Sequence, residues 1–324
     1  MTRRGLTVAA AAAALALPPP ARAQTGVCGP APAAVSPCAQ AVAALEAAYP
    51  EAGILAAGGN PVPGVESTRG ITLGIVPRTT ASLRVSAARQ HLPDLGVAST
   101  AEDRSATATS IRLGTATQLF SGVSAGPIGG VGAIDLLLDV ALLPAAGQGR
   151  DAAAAFGAGA RIGVIRETFG TPGVSLTAMY RHVGRQQYGH ICPVPDVSCD
   201  DPGAAEAAFA TNDLSGRLTV GKRLGPVGVL GGVGVDRFST SGGRVSYIIS
   251  PSVEPVRIHD EVSLHDTRWS VFGNLSYGLI VGSLVAEAGY MGGGDPTVVF
   301  DADDGQFEPG KGTPFGSLAL RISL

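Results

Sequence analysis

Charged side chains recur in this sequence within segments that alternate between polar and apolar residues. Arg84, for instance, stands between Leu83 and Val85 in the run 81–89. Neighbouring side chains on an extended strand point to opposite faces, so the charges collect on one face and the apolar groups on the other. The sequence therefore predicts strands with one charged face. The charged set comprises Arg84, Arg112, Asp135, Asp139, Arg161, Glu167, Arg181, Arg217, Asp236, Arg268, Glu287 and Arg321.

The charged face has two chemical interpretations, and the sequence leaves both open. Seven arginines stand against five acids, so these side chains can pair across an enclosed interior and fill it. The same residues can instead line a thin passage for small polar or anionic solutes, because the excess of arginine and the many glycines leave charge and space. In both cases we predict that the whole set lines a lumen.

The four cysteines occur as two close pairs, Cys28 with Cys38 and Cys192 with Cys199. Close pairs in an exported chain predict two local disulfides in an oxidising compartment. A zinc site is not supported, because no Cys-x-x-Cys or nearby histidine pair supplies the ligands. The acidic run at 301–305 resembles the start of a calcium loop but lacks its later glutamate. We therefore predict no metal and no cofactor.

Serine and histidine occur near one another twice, which raises a second class of function. His265 follows Ser263, and His182 follows a segment that carries Ser175. No G-x-S-x-G motif accompanies either pair, and such neighbours arise often by chance in a chain rich in small residues. We therefore predict no catalytic residues and no enzymatic activity.

The first 23 residues have the layout of a secretory signal peptide. Arg3 and Arg4 form a short basic region, and the apolar run 6–17 is too short to span a bilayer. The segment 21–23 (ARA) matches an A-x-A cleavage site, so we expect the mature chain to start at Gln24.

The composition excludes some classes of protein and leaves two. The chain is 45% hydrophobic and 15% charged with a net charge of −3, so nothing indicates a nucleic-acid partner. No long uncharged apolar run follows the signal peptide, so no transmembrane helix is expected. The two remaining classes are a glycine-rich soluble β-protein and a membrane barrel, whose apolar residues occupy alternate positions. The aromatic content of 5% is low for the aromatic girdles of a barrel.

The coarse secondary structure is one short helix followed by many strands. Residues 36–48 predict the helix, with Ser36 as N-cap and Pro37 at its first position. The segment 243–258 alternates briefly, but its prolines interrupt the pattern, so we expect a hairpin arm that extends on the external side. The predicted strands are 70–76, 81–89, 110–119, 130–142, 156–167, 173–183, 213–223, 227–237, 267–279, 280–290 and 314–324.

The last predicted strand carries the most specific signal. Leu318, Leu320, Ile322 and Leu324 fall on one face, and the alternation runs to the final residue, where soluble chains are normally loose. The segment resembles the C-terminal strand by which bacterial outer-membrane β-barrel proteins are recognised for assembly. Such strands usually end in Phe, whereas this one ends in Leu324. The resemblance covers about residues 50–324, is generic to the class, and implies an all-β, transmembrane, antiparallel up-and-down barrel.

Connector lengths set the expected strand count. Short and long connectors alternate along the chain, as periplasmic turns and external loops do in such barrels. With the C-terminus in the periplasm, one more strand must precede 70–76. Residues 51–59 are the candidate, although they could also thread the lumen as part of a plug. The expected count is then about twelve strands, within a range of roughly ten to fourteen.

These patterns together predict an exported outer-membrane protein of a Gram-negative bacterium. The expected organisation is a signal peptide at 1–23, a periplasmic N-terminal segment with a disulfide and a short helix at 24–50, and the barrel at 51–324. The resemblance implies a passive, porin-like channel or transporter for small solutes. The alternatives are a closed structural or surface-interaction barrel and a lipid-modifying enzyme. Expected partners are outer-membrane lipid, a small solute and the barrel-assembly machinery, and no nucleic acid.

Overall fold

Most of the chain forms one antiparallel sheet that closes on itself, in a computed structural model that describes residues 28, 36–65, 78–93, 95, 103–125, 128–145, 151–189, 191, 205–249, 256–294 and 310–323. One helix, α1 (Pro37–Ala57), precedes the strands. The strands are β1 (Thr79–Pro93), β2 (Asp103–Phe120), β3 (Val123–Ala125), β4 (Ile128–Val131), β5 (Ala133–Leu143), β6 (Ala153–Ile165), β7 (Gly173–Gly189), β8 (Ala205–Leu224), β9 (Val227–Ile249), β10 (Val256–Glu261), β11 (His265–Gly278), β12 (Gly282–Met291) and β13 (Thr313–Ser323).

Ten strands make up the barrel wall, in the order β1-β2-β5-β6-β7-β8-β9-β11-β12-β13. β13 returns to β1, and every neighbouring pair is antiparallel. β10 is an additional strand that pairs with the far end of β9, and β3 and β4 form a small ribbon within the β2–β5 connection. The prediction of a transmembrane antiparallel barrel is confirmed, with ten wall strands at the lower limit of the expected range.

Large apolar side chains cover the outside of every wall strand, while the inside is polar or tightly packed. Leu83, Leu113 and Leu138 remain 46%, 61% and 51% exposed, while their neighbours in sequence are buried or half-buried. An apolar surface of this extent would be a liability in water, but it is required where a barrel wall contacts lipid. The predicted alternation of faces is therefore observed, with the hydrophobic side turned outward.

The two ends of the barrel differ. The short-turn end carries the start of β1, the end of β13 and the brief connections 166–172, 225–226 and 279–281. The long-loop end carries the connections 94–102, 144–152, 190–204 and 292–312. β8 and β9 have 20 and 23 residues, about twice the length needed to cross a bilayer, and their excess lies at the long-loop end.

The segment 243–258 forms the hairpin arm that its interrupted alternation predicts. β9 continues to Ile249, and β10 pairs antiparallel with its last residues in the register Val256↔Ile249. The arm projects past the wall at the long-loop end.

α1 is longer than the sequence predicts and lies inside the barrel. Ser36 caps its start by accepting a hydrogen bond from the Ala39 amide at 3.2 Å, as expected for this N-cap. The expected end at residue 48 is wrong, because the helix continues through Pro50 to Ala57. Proline inside a helix removes a hydrogen bond and costs about 3 kcal/mol, yet the enclosing wall fixes this segment by packing. Within the described residues, no helix is both long and apolar enough to span a membrane.

Residues 51–57 are therefore helical, and their assignment as a first strand is wrong. That strand was required only by counting connectors back to 70–76. β1 begins at the same end as the last residues of β13, so an even strand count is reached without an additional strand. The signal peptide, the segment 70–76, the pair Cys192 and Cys199, the run 301–305 and Leu324 lie outside the described residues.

Candidate functional site: the filled lumen

The helix and the residues that follow it, 36–65, run down the lumen and are called the plug segment here. Its direction follows from three contacts with β8. Thr211 donates to the Tyr49 carbonyl at 3.1 Å, Arg217 to the Gly59 carbonyl at 3.2 Å, and Arg223 to the Val65 carbonyl at 3.4 Å. The plug segment thus runs parallel to β8, entering at the long-loop end and reaching the short-turn end.

The upper half of the lumen is packed as an apolar core around α1. Small and apolar side chains of the wall, among them Ala108, Ala155 and Val245, join those of the helix in one buried cluster. Every described helix residue from Cys38 to Ala57 is buried. A lumen of ten strands is narrow, and it holds a helix rich in alanine.

Gly53 shows how tight the packing is. A Cβ atom at this position would overlap the ring of Phe238, which projects inward from β9 and is fully buried. The absence of a side chain at Gly53 thus creates the space that the aromatic ring fills.

The lower end of the helix is held by arginines of the wall. The last carbonyls of a helix have no partner within the helix and carry partial negative charge, and α1 has no basic residue in its last turn. Arg112 donates to the Ala56 carbonyl at 2.8 Å and Ser110 to the Leu55 carbonyl at 2.7 Å. Arg84 donates to the Gly58 carbonyl at 3.3 Å and to the Asn60 carbonyl at 2.5 Å. The wall therefore supplies the cap that the helix lacks.

The backbone approaches the wall most closely at Gly59 and Asn60. Gly59 adopts a φ of 78°, and a Cβ atom there would overlap the Glu287 carboxylate. That carboxylate accepts from the Asn60 amide at 3.0 Å and from Arg84 at 3.4 Å. One acid and one arginine of the wall thus bind both the N–H and C=O groups of the turn after the helix.

Most of the remaining charges form buried ion pairs of the wall around the lower half of the plug segment, here called the charged layer. Arg161 lies 2.6 Å from Asp135, and Arg217 lies 2.6 Å from Asp236. Arg181 is shared between Asp139 at 3.0 Å and Asp213 at 3.5 Å. Burial makes single charges costly, so the pairing is what allows so many ionised groups inside the wall.

Most of the predicted lumen residues occupy the interior. Arg268 is buried near the long-loop end and donates to Asp266 at 2.6 Å, and Arg321 donates to the Pro63 carbonyl at 3.1 Å. Glu167 differs, because it lies in the β6–β7 turn, where it accepts a hydrogen bond from the Arg223 amide. Those inside are Arg84, Arg112, Asp135, Asp139, Arg161, Arg181, Arg217, Asp236, Arg268, Glu287 and Arg321.

Sequence reasoning missed several residues that bind the plug segment or join the charged layer. Asp213 has no exposed surface and has the same strand parity as Arg217, so alternation alone would have found it. Ser110 and Thr211 also face inward by parity. Glu51, which accepts from the His91 amide at 2.7 Å, gave no signal because its segment was assigned to the wall.

The disulfide between Cys28 and Cys38 anchors the chain at the long-loop end. It joins the first turn of α1 to a residue ten positions earlier, and Cys28 packs against the apolar core. Cys28 is thus held at the mouth through which the plug segment enters.

The gaps between the described part of the plug segment and the wall are small. One gap beside Pro61 and Pro63 measures about 10 Å³, and another beside Ala48 and Leu55 measures about 40 Å³. Such volumes hold roughly one and three water molecules. Neither gap is large enough to form an open passage for solutes along the lumen.

Ser175 and His182 lie on opposite faces of the wall in this fold. Ser175 faces the lumen, where it contacts Thr219 at 2.8 Å, while His182 is on the outer face and contacts Asn212 at 2.8 Å. His265 and Ser263 are both exposed at the long-loop end.

Comparison with known proteins finds similar folds but no family. No protein-family model and no curated protein matches the chain. The translocator domain of autotransporter NalP from Neisseria meningitidis is 11% identical over 77% of this chain and 88% of its own, with a TM-score of 0.40. The outer-membrane protease OmpT from Escherichia coli is 12% identical over 80% and 100%, with a TM-score of 0.37. The toluene transporter TodX from Pseudomonas putida is 11% identical over 81% and 96%, with a TM-score of 0.28.

These proteins have different activities, so the likeness concerns the fold alone. The prediction that the chain is not an enzyme is wrong. A missing hydrolase motif does not support it for this fold, since a protease is among the similar barrels. The location is clear from the chain itself, since a closed antiparallel wall with an apolar belt is the form in which strands cross the outer membrane. The chain is an outer-membrane β-barrel.

Proposed function

We propose that this outer-membrane barrel is closed by its own plug segment and has a structural or surface-interaction role. The sequence leaves two roles open for the charged face, which can fill a closed interior with ion pairs or line a passage for solutes. The proposal is the closed interior. The observation that carries the proposal is the burial of α1 along its whole length, with its last carbonyls bound by Arg84, Arg112 and Ser110.

The packing supports a lasting closure rather than a loosely held gate. Withdrawing α1 would expose the apolar core of the upper lumen to water at about 25 cal/mol per Å². It would also leave the wall arginines without the carbonyls that they bind. A passive channel through this lumen would have to meet both of these costs.

The direction of the plug segment supports a role at the surface. Long connections mark the external side of such barrels, so we place the long-loop end outside the cell. α1 then enters from outside, and Cys28, bonded to its first turn, lies at the external mouth. This replaces the periplasmic position expected for 24–50.

Conductance in planar lipid bilayers tests the closure. The full mature chain should insert and remain silent, with no stepwise ion current. A variant that lacks 36–65 should conduct. The double variant Arg84→Gln, Arg112→Gln should show brief openings, because the lower cap of the helix is weakened.

The matched control is Arg237→Gln, an exposed arginine on the outer wall that does not contact the plug segment. It should stay silent like the unmodified chain. Steady conductance by the unmodified chain would overturn the closed barrel and favour passive transport, whether or not the deletion variant folds.

Antibody access on intact cells tests the orientation. An epitope inserted after Gly26 should be detected without permeabilisation. An epitope in the turn 279–281 should be detected only after the outer membrane is permeabilised. The reverse result would place the long-loop end in the periplasm and remove the surface role.

A further inference from the structure

Two turns at the short-turn end present apolar side chains at their tips. Phe169 in the β6–β7 turn and Ile280 in the β11–β12 turn are fully exposed, and Val281 beside Ile280 is 72% exposed. The exposed fraction of wall side chains in the lipid belt is only about half that of Phe169 and Ile280, since their strand neighbours shield them. Turns that project into water are normally built from polar residues and glycine. These tips therefore need an apolar surrounding.

The apolar tips are distributed around the barrel rather than gathered on one side. Between β7, which follows the first tip, and β11, which precedes the second, the wall contains β8 and β9. In a ring of ten strands the two tips thus lie well apart on the perimeter. At the edge of the same end, Leu119 and Leu224 continue the outward apolar face of β2 and β8 down to the turns, with 64% and 63% of their surfaces exposed.

Basic residues accompany these tips. The described turns and strand ends at the short-turn end carry Arg78, Arg166, Lys222 and Arg223, against the acid Glu167 in a turn and the lumen-facing Asp135, which pairs with Arg161. Lys222 donates to the carbonyls of Thr168 and Phe169 at 2.8 Å and 2.6 Å, which fixes the turn that bears the aromatic tip. A positive end therefore surrounds apolar groups that are held in place.

We infer that the short-turn end is anchored in the phospholipid leaflet next to it, with Phe169 and Ile280 inserted among the acyl chains and the basic residues at anionic headgroups. Apolar side chains beside lysine and arginine are the composition that binds the interface of an anionic bilayer. The inference concerns the turns alone and does not depend on whether the lumen is closed.

Two observations favour lipid over a protein partner. The tips continue an apolar belt that already lies in the bilayer, so a small shift of the barrel along its axis immerses them. Lipid also surrounds the barrel on all sides, whereas a protein would have to cover the whole end to reach both tips.

Tryptophan fluorescence provides the test. Trp269 is the single tryptophan of the chain, so the Trp269→Phe variant has no tryptophan emission of its own. Phe169→Trp and Ile280→Trp are then made one at a time. Ser263→Trp is the matched control, because Ser263 is exposed between β10 and β11 at the opposite end. The proteins are folded into phosphatidylcholine vesicles with and without phosphatidylglycerol.

The tip tryptophans should emit at shorter wavelength than the control and be quenched by brominated acyl chains but not by iodide. Phosphatidylglycerol should strengthen the quenching by brominated chains, as expected for basic residues at anionic headgroups. Tip emission that matches the control, with quenching by iodide alone, would show that the turns lie in water and overturn the inference. Equal quenching with and without phosphatidylglycerol would overturn the role assigned to the basic residues.

Discussion

At the scale of single residues, the interior is organised by arginines that bind main-chain carbonyls as well as carboxylates. Arg84 contacts the Gly58 and Asn60 carbonyls and Glu287, so it connects the wall to the plug segment and neutralises a buried acid. Guanidinium groups suit this role because their several donors lie in one plane and remain charged when buried. A lysine would satisfy fewer of these acceptors.

Arg84→Ala should destabilise the folded barrel by about 3–5 kcal/mol, because the Glu287 carboxylate then lies buried without its arginine. The measurement is the urea dependence of folding in lipid vesicles. Arg237→Ala, on the exposed outer face, is the control and should change stability far less. The double variant Arg84→Met, Glu287→Met should recover part of the loss, and equal stability of Arg84→Ala and the unmodified chain would contradict the assigned contacts.

At the scale of elements, α1 is stable because the wall encloses it rather than because of its own sequence. It contains Pro50 and Gly53, both poor helix formers, and yet every described turn is buried. Its carbonyls are satisfied by Thr211, Ser110 and Arg112 from the wall. The helix and the barrel therefore depend on each other.

Gly53→Ala should lower stability even though alanine is the better helix former by about 1 kcal/mol. The new methyl group would overlap the Phe238 ring, and overpacking of a tight core costs about 1–3 kcal/mol. Thermal unfolding in detergent measures the effect. Gly231→Ala, where a Cβ atom meets nothing within 4 Å, is the control. Adding Phe238→Leu should restore the loss, and a stabilised Gly53→Ala protein would show that the helix is not confined by this ring.

The arm of β9 and β10 should open at high pH. Burial, and then the hydrogen bond to Asp260 at 3.1 Å, raise the pKa of Tyr247 above its usual value of about 10. A raised pKa in the folded arm means that this contact stabilises the arm below about pH 10 and is lost as the pH rises through the folded value. The protection of residues 256–261 against hydrogen exchange, measured relative to the intrinsic base-catalysed rate, should therefore fall in that range. Tyr247→Phe should lose this dependence, and an unchanged profile in that variant would exclude Tyr247 as the cause.

At the scale of the whole molecule, the barrel inverts the usual arrangement of a soluble protein. Apolar side chains cover the outside, and ion pairs with a helix fill the inside. Closure of ten strands removes every free edge in the wall, so all of its backbone groups can be paired within the bilayer.

The folded protein should migrate faster than the boiled protein in detergent gels, because the closed wall resists detergent until heated. Deletion of 37–57 should lower the temperature at which the slow band appears, since it removes the apolar core of the upper lumen. The boiled sample is the control that marks where the band of the unfolded protein runs in the gel. Identical mobility before and after boiling would contradict a membrane barrel.

The strand pattern is the part of the fold that the sequence determined by itself. The alternation in 81–89, 173–183 and 314–324 identified wall strands and their inward residues, because which face a side chain takes depends only on its immediate neighbours. The N-cap at Ser36 was readable for the same reason.

Only the tertiary structure decided the strand number and the content of the lumen. Residues 51–57 have no pattern that separates a strand from a helix, and Pro50 suggests that a helix ends there. Their helical state comes from contacts with Ser110 and Arg112, which are distant in sequence. Whether an inward arginine lines a channel or caps a helix depends on what occupies the space before it, and that is settled by closure of the wall around the plug segment.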